Sequence, residues 1–111
     1  MARVRKSEKG RSRAKQHLTV SHRERLVSEL RADSELAAEY LNAAAEEKDR
    51  RVYLAALRTV AEAKGMAKVA KAAGVPRESL YRALSSSGNP RLSTLDAILR
   101  AAGLKLAVER V

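Results

Sequence analysis

Residues 66–85, MAKVAKAAGVPRESLYRALS, leave the chain little freedom. Gly74 accepts the positive φ that a tight turn needs. Ala70 is small, so a second helix can cross close over the first. Val69, Ala73, Val75, Leu80 and Ala83 are apolar at the inner positions that would hold the crossing angle. Pro76 stands where the second helix opens, and a missing amide does no harm there. The expectation is two short helices crossing steeply through a tight turn, a helix-turn-helix over 66–85.

The flanking sequence is also helical in pattern. Ser21 and Glu24 form a capping box. The helix it opens carries Leu26, Val27 and Leu30 on one face and stops near Arg31. Asp33 is placed to cap a helix from Ser34 to Lys48, with Leu36, Tyr40, Leu41 and Ala44 in phase. Glu46, Glu47 and Asp49 oppose the dipole at its end, which favours a break there, with Asp49 capping the next helix. That helix runs from Arg50 to Lys64 until Gly65, read as a left-handed C-cap. After Ser85–Pro90, plainly a loop, Leu92 to Ala102 carries Leu92, Leu95, Ile98 and Leu99 in phase, and Gly103 caps it. Leu104 to Glu109 alternates with period two and reads as one short strand. A lone strand needs a partner for its backbone. The choices are Leu18–Val20 or the same strand of a second copy. The second copy is favoured, giving a homodimer joined through Leu104, Leu106 and Val108. The expected fold class is all-α: a small helix-turn-helix domain over 18–111, with N-terminal extra helices and one C-terminal strand. Residues 1–17, charged and without apolar periodicity, read as a disordered basic arm.

Charge sorts along the chain. Residues 1–32 hold ten bases and three acids, 33–62 four bases and seven acids, and 63–111 nine bases and three acids. Two basic segments flank an acidic one, within a net charge of +10. This suggests one part that faces a polyanion and a separate face for something else.

The exposed positions of the second short helix carry chemistry that suits the major groove of double-stranded DNA. Arg77 and Arg82 can bind guanine O6 and N7, and Glu78 can accept from cytosine N4. Tyr81 would meet a base edge or a phosphate. Phosphate contacts should flank the helix. Candidates are the Met66 amide, Lys68, Ser86, Asn89, Arg91 and Ser93.

Other functions find little support. There is no Cys, hence no disulfide or thiol chemistry. His17 and His22 have no paired ligand set, so no metal is expected, and no Gly-rich phosphate loop suggests a cofactor. Apolar runs are too short to span a membrane, and no apolar segment follows the basic N-terminus as in a secretory signal. A cytoplasmic, non-enzymatic protein is expected.

EYLNAA (39–44), LYRALS (80–85), GNP (88–90), LSTL (92–95) and GLKLAVE (103–109) carry a resemblance over about residues 18–111. The chain resembles the addiction-module antidote family, HigA-type antitoxins with a helix-turn-helix of the phage-repressor kind. The resemblance implies a protein that blocks a small basic toxin of the RelE/ParE type and represses its own operon at an operator. Arg77, Glu78 and Arg82 match the base-contacting positions of that family. A basic toxin would suit an acidic docking face, and Glu35, Glu39, Glu46, Glu47 and Asp49 are its candidates. Two other readings stay open: a stand-alone helix-turn-helix regulator without a toxin partner, and an enzyme accessory or RNA-binding helper. The arm has no counterpart in the family; it could add unspecific DNA affinity or a toxin contact.

Overall fold

Side-chain caps punctuate the N-terminal half of the molecule. The computed structural model describes residues 21–111; the arm, His17 and Leu18–Val20 lie outside the described residues. Helix α1 is His22–Ala32, α2 Ser34–Ala45, α3 Arg50–Lys64, α4 Met66–Ala73, α5 Arg77–Ala83 and α6 Leu92–Ala101. The Ser21 hydroxyl accepts from the Glu24 amide at 3.0 Å, and the Ser21 amide donates back to the Glu24 carboxylate at 3.2 Å. Asp33 accepts from the Leu36 amide at 3.1 Å, and Asp49 from the Arg51 amide at 2.9 Å. Each cap satisfies an amide that the helix itself leaves without an acceptor.

Several boundaries differ from expectation. Helix α2 ends at Ala45, three residues early, because the acidic cluster opposes its dipole and Asp49 serves the next helix instead. Pro76 caps α5 in an extended conformation, φ −66° and ψ 152°, rather than forming its first turn. Gly65 has φ 101° but ψ 110°, so it stops α3 by positive φ without being left-handed helical. Leu92, in phase by spacing, is exposed at the start of α6.

The strand expected at Leu104–Glu109 is corrected. Among the described residues there is no strand. Helix α6 closes with the Gly103 amide donating to Arg100 O at 3.0 Å and the Leu104 amide to Leu99 O at 2.7 Å. This pair of hydrogen bonds is a Schellman end, with Gly103 at φ 79°. Beyond it a single chain offers the alternating residues no neighbouring strand, and period two alone cannot supply one.

Helix α3 is the centre. It packs against α1, α2, α4 and α6. Leu30, Leu57, Val60, Val69, Leu80, Leu84 and Ile98 are the largest fully buried side chains. Each such burial is worth roughly 1.5–3 kcal/mol. Polar contacts fix the ends of the helices. Arg31 Nε donates to Ala63 O at 2.8 Å, and Lys64 Nζ donates to Arg31 O at 3.0 Å. The C-termini of α1 and α3 thus each receive a cation from the other. The Ser34 hydroxyl donates to Ala102 O at 2.9 Å, joining the start of α2 to the end of α6.

Candidate nucleic-acid interface

The turn between α4 and α5 is built by Gly74. Its backbone is left-handed, φ 71° and ψ 30°. Its amide donates to Lys71 O at 3.1 Å and that of Val75 to Ala70 O at 3.0 Å, closing α4 and reversing the chain. Val69, Ala70 and Leu80 are buried, while Ala73, Val75 and Ala83 are half-buried. The small and apolar positions therefore face inward as the spacing predicts.

The outward positions of α5 are cationic with one acid. Arg77, Glu78 and Arg82 are exposed. Lys68 and Lys71 on α4, and Arg91 before α6, are exposed as well. Among the described residues no ion-pair partner stands against Lys68, Lys71, Arg77, Arg82 or Arg91. The exposed arginines nearer the N-terminus behave differently: Arg23 and Arg58 both reach Glu62, the latter at 3.4 Å, and Arg51 holds Asp49 at 2.8 Å. Ser86, Asn89 and Ser93 are exposed around the loop. Met66 has a buried side chain, so only its amide could meet a phosphate. No side chain caps the N-termini of α4, α5 or α6, in contrast to α1, α2 and α3.

Tyr81 is placed differently from the other candidates. It is half-buried and packs against the core. The Arg58 guanidinium lies over its ring, 5.5 Å from the centroid. That contact ties α5 to α3 as a cation–π pair.

The loop after α5 depends on residues that spacing did not single out. The Gly88 amide donates to Ser85 O at 2.8 Å, and its carbonyl accepts from the Arg50 guanidinium. Gly88 is buried against the end of α5, where a Cβ would stand 2.0 Å from Ala83 O. Gly in the loop was visible; the need for it was not, because it arises from contact rather than from φ.

The acidic candidates lie on another part of the surface. Glu35 and Glu39 are exposed on α2, and Glu46 and Glu47 follow it, also exposed. Beside them runs an apolar trough lined by Tyr40, Ala43, Ala44, Val52, Ala55 and Ala56, with Glu47, Asp49 and Arg51 also on its walls. Val52, 39% exposed, is a large apolar residue missed by spacing. Asp49 is committed to structure. Hydrogen bonds from the Arg51 side chain and amide hold its carboxyl at about 2, against an ordinary 3.8, and the pair pushes Arg51 upward. Burial pushes the Tyr53 phenol upward. Of the expected dimer residues, Leu104 is half-buried and Leu106 and Val108 are exposed.

Asp49 gives a pH prediction. A carboxyl whose pKa is lower folded than unfolded stabilises fully above the unfolded value and loses that contribution as pH falls through the folded one. The excess stability of the wild type over Asp49→Asn should be constant above pH 4 and should fade between about pH 4 and 2. Thermal melts across that range check it; a gap independent of pH would count against the pairing.

Fold and charge together define a small all-helical protein with a cationic edge on α4, α5 and the loop to α6, and an acidic flank at α2. The chain belongs to the addiction-module antidote family: the family model described as "probable addiction module antidote protein" matches residues 23–110. It is similar to a protein of Haemophilus influenzae (strain Rd) described as uncharacterized, 38% identical over 71 residues, which is 64% of this chain and 73% of that protein. No solved structure matches. Membership carries an antidote role and implies a toxin as partner. No helix among the described residues is long and apolar enough to cross a membrane.

Proposed function

We propose that the protein is the antitoxin of a type II module, of the HigA type, which neutralises a basic RelE/ParE-type toxin and represses its own operon. Helices α4 and α5 act as a repressor-like helix-turn-helix, with α5 in the major groove. The observation that carries the DNA reading is the run of unpaired cations, Lys68, Lys71, Arg77, Arg82 and Arg91, in residues 63–91 where six bases meet one acid. A solvated surface gains nothing by keeping like charges together; a polyanion rewards it. Arg77, Glu78 and Arg82 read bases. Lys68, Arg91 and the open amides at the start of α4 and α6 hold phosphates. The half-buried Tyr81 keeps α5 seated beneath Arg58 rather than reading a base.

The toxin docks on the acidic flank. Glu39, Glu46 and Glu47 steer a basic partner, and the Tyr40–Val52 trough beside them supplies apolar area.

Arg82→Ala should weaken binding to the operator by about 1–3 kcal/mol and relax preference at one base pair. Titration of the protein's own upstream DNA against random duplex tests it. Equal affinity for the two would remove the repressor reading. Co-expression with a small basic toxin, taken from the adjacent reading frame where one is encoded there, tests the antidote reading, with rescued growth expected. Operator binding without rescue would leave a stand-alone regulator.

A further inference from the structure

Three arginines converge where α1, α3 and the loop after α5 meet. Arg23, Arg51, Arg58, Glu62, Ser85 and Ser86 line an open cleft there. Thr59, only 4% exposed, steadies the first of the three arginines. Its hydroxyl accepts from Arg23 Nη1 at 3.4 Å and donates to Ala55 O at 3.0 Å. The Tyr81 ring steadies Arg58. A guanidinium held in this way gives up little further freedom when it binds.

The cleft holds more donors than acceptors. Glu62 is the one carboxylate on its walls, and Arg23 and Arg58 share it. Asp49 takes Nε and Nη2 of Arg51. Three guanidinia against these two acids leave one positive charge over. Among the described residues no hydrogen bond takes up Nη1 of Arg51, the terminal nitrogens of Arg58 or the Ser86 hydroxyl.

We propose that this cleft binds a phosphate group, with Arg23, Arg51 and Arg58 supplying the charge and Ser86 a hydroxyl donor. The donors stand on three elements. A tetrahedral oxyanion accepts from several directions, whereas a planar carboxylate accepts in one plane. Guanidinium forks suit phosphate oxygens. Glu62 stands between Arg23 and Arg58, where a phosphate oxygen would sit, and its charge opposes entry. The phosphate comes either from a duplex seated on α5, since Ser86 lies just past that helix, or from a free phosphate ester. A free ester needs no DNA, so the cleft does not rest on the repressor reading.

Titration of the full chain with sodium phosphate tests the site. NMR follows the amides of Ser85 and Ser86 and the Nε–H groups of the arginines. These signals should move and saturate, and sodium chloride of equal ionic strength should leave them in place. Glu62→Gln keeps the shape and removes the opposing charge, so phosphate should bind about tenfold tighter. Arg23→Gln should weaken it by about tenfold and Ser86→Ala by about fivefold. Circular dichroism confirms that the helices persist. Signals unmoved by phosphate, moved equally by chloride, or saturating alike in all three variants would overturn the proposal. A random duplex added at low salt separates the two sources. If it moves the same signals, and Glu62→Gln steepens the salt slope of duplex binding by about one, the phosphate is that of DNA. If only phosphate moves them, the ligand is a free ester.

Discussion

Gly88→Ala should lower the melting temperature by roughly 10–20 °C, far more than a surface loop position suggests. The new Cβ would stand 2.0 Å from the carbonyl oxygen of Ala83 and 2.5 Å from its carbonyl carbon. Both atoms belong to the backbone of α5, which cannot rotate aside as a side chain can. Relief means moving the loop, and two tethers resist. The Gly88 amide is bound to Ser85 O at 2.8 Å, and its carbonyl to Arg50. The cost should be about 3 kcal/mol, at the upper end for overpacked sites. Gly74→Ala makes the control. Gly74 has φ 71°, but nothing lies within 4 Å of the added atom. That variant should lose only the left-handed penalty, about 1–2 kcal/mol. Calorimetry of the two variants separates a glycine needed for space from one needed for rotation. A Gly88→Ala protein that melts within a few degrees of the wild type would mean the loop is not seated on α5.

The second large effect is ionic. Three unpaired cations on the proposed DNA edge that are not assigned to bases, Lys68, Lys71 and Arg91, each meeting one phosphate, give a slope of about −2.7 for log affinity against log salt. Raising salt from about 50 to 200 mM should then weaken binding by about 40-fold per bound chain. Lys68→Ala should shorten the slope by about one and act alike on all sequences, whereas Arg82→Ala should act most at the operator. Fluorescence anisotropy over a salt series reads both. A slope shallower than about −1 would leave most of the three cations without a phosphate.

Local signals in the sequence were reliable where the physics is local. Ser21 with Glu24, Asp33 and Asp49 each cap the helix expected of them, because a cap acts over two or three residues. Gly74 turns the chain where positive φ was needed. The long-range contacts could not be read. Arg50 with Gly88, Arg23 with Glu62 and Ser34 with Ala102 join residues 38, 39 and 68 apart. Nothing in the spacing of either member points to the other. Tyr81 shows the same limit at the candidate site: its position on α5 suggested exposure, but Arg58 covers it from α3. Alternation in residues 104–109 fits a strand, but the period carries no information on whether a neighbour exists.

Helix α3 stands in the middle of the chain as well as of the molecule. It follows α2 and precedes α4 with only short connections, so its contacts with them form between residues near in sequence. Closing such short loops costs little entropy. Assembly can therefore start at α3 and spread toward both ends, which is the route of a fast-folding helical protein. Helix α5 leans mainly on α4, and α4 in turn on α3 and α6. The element proposed to read DNA is then among the last to be fixed and among the first to open in native fluctuations.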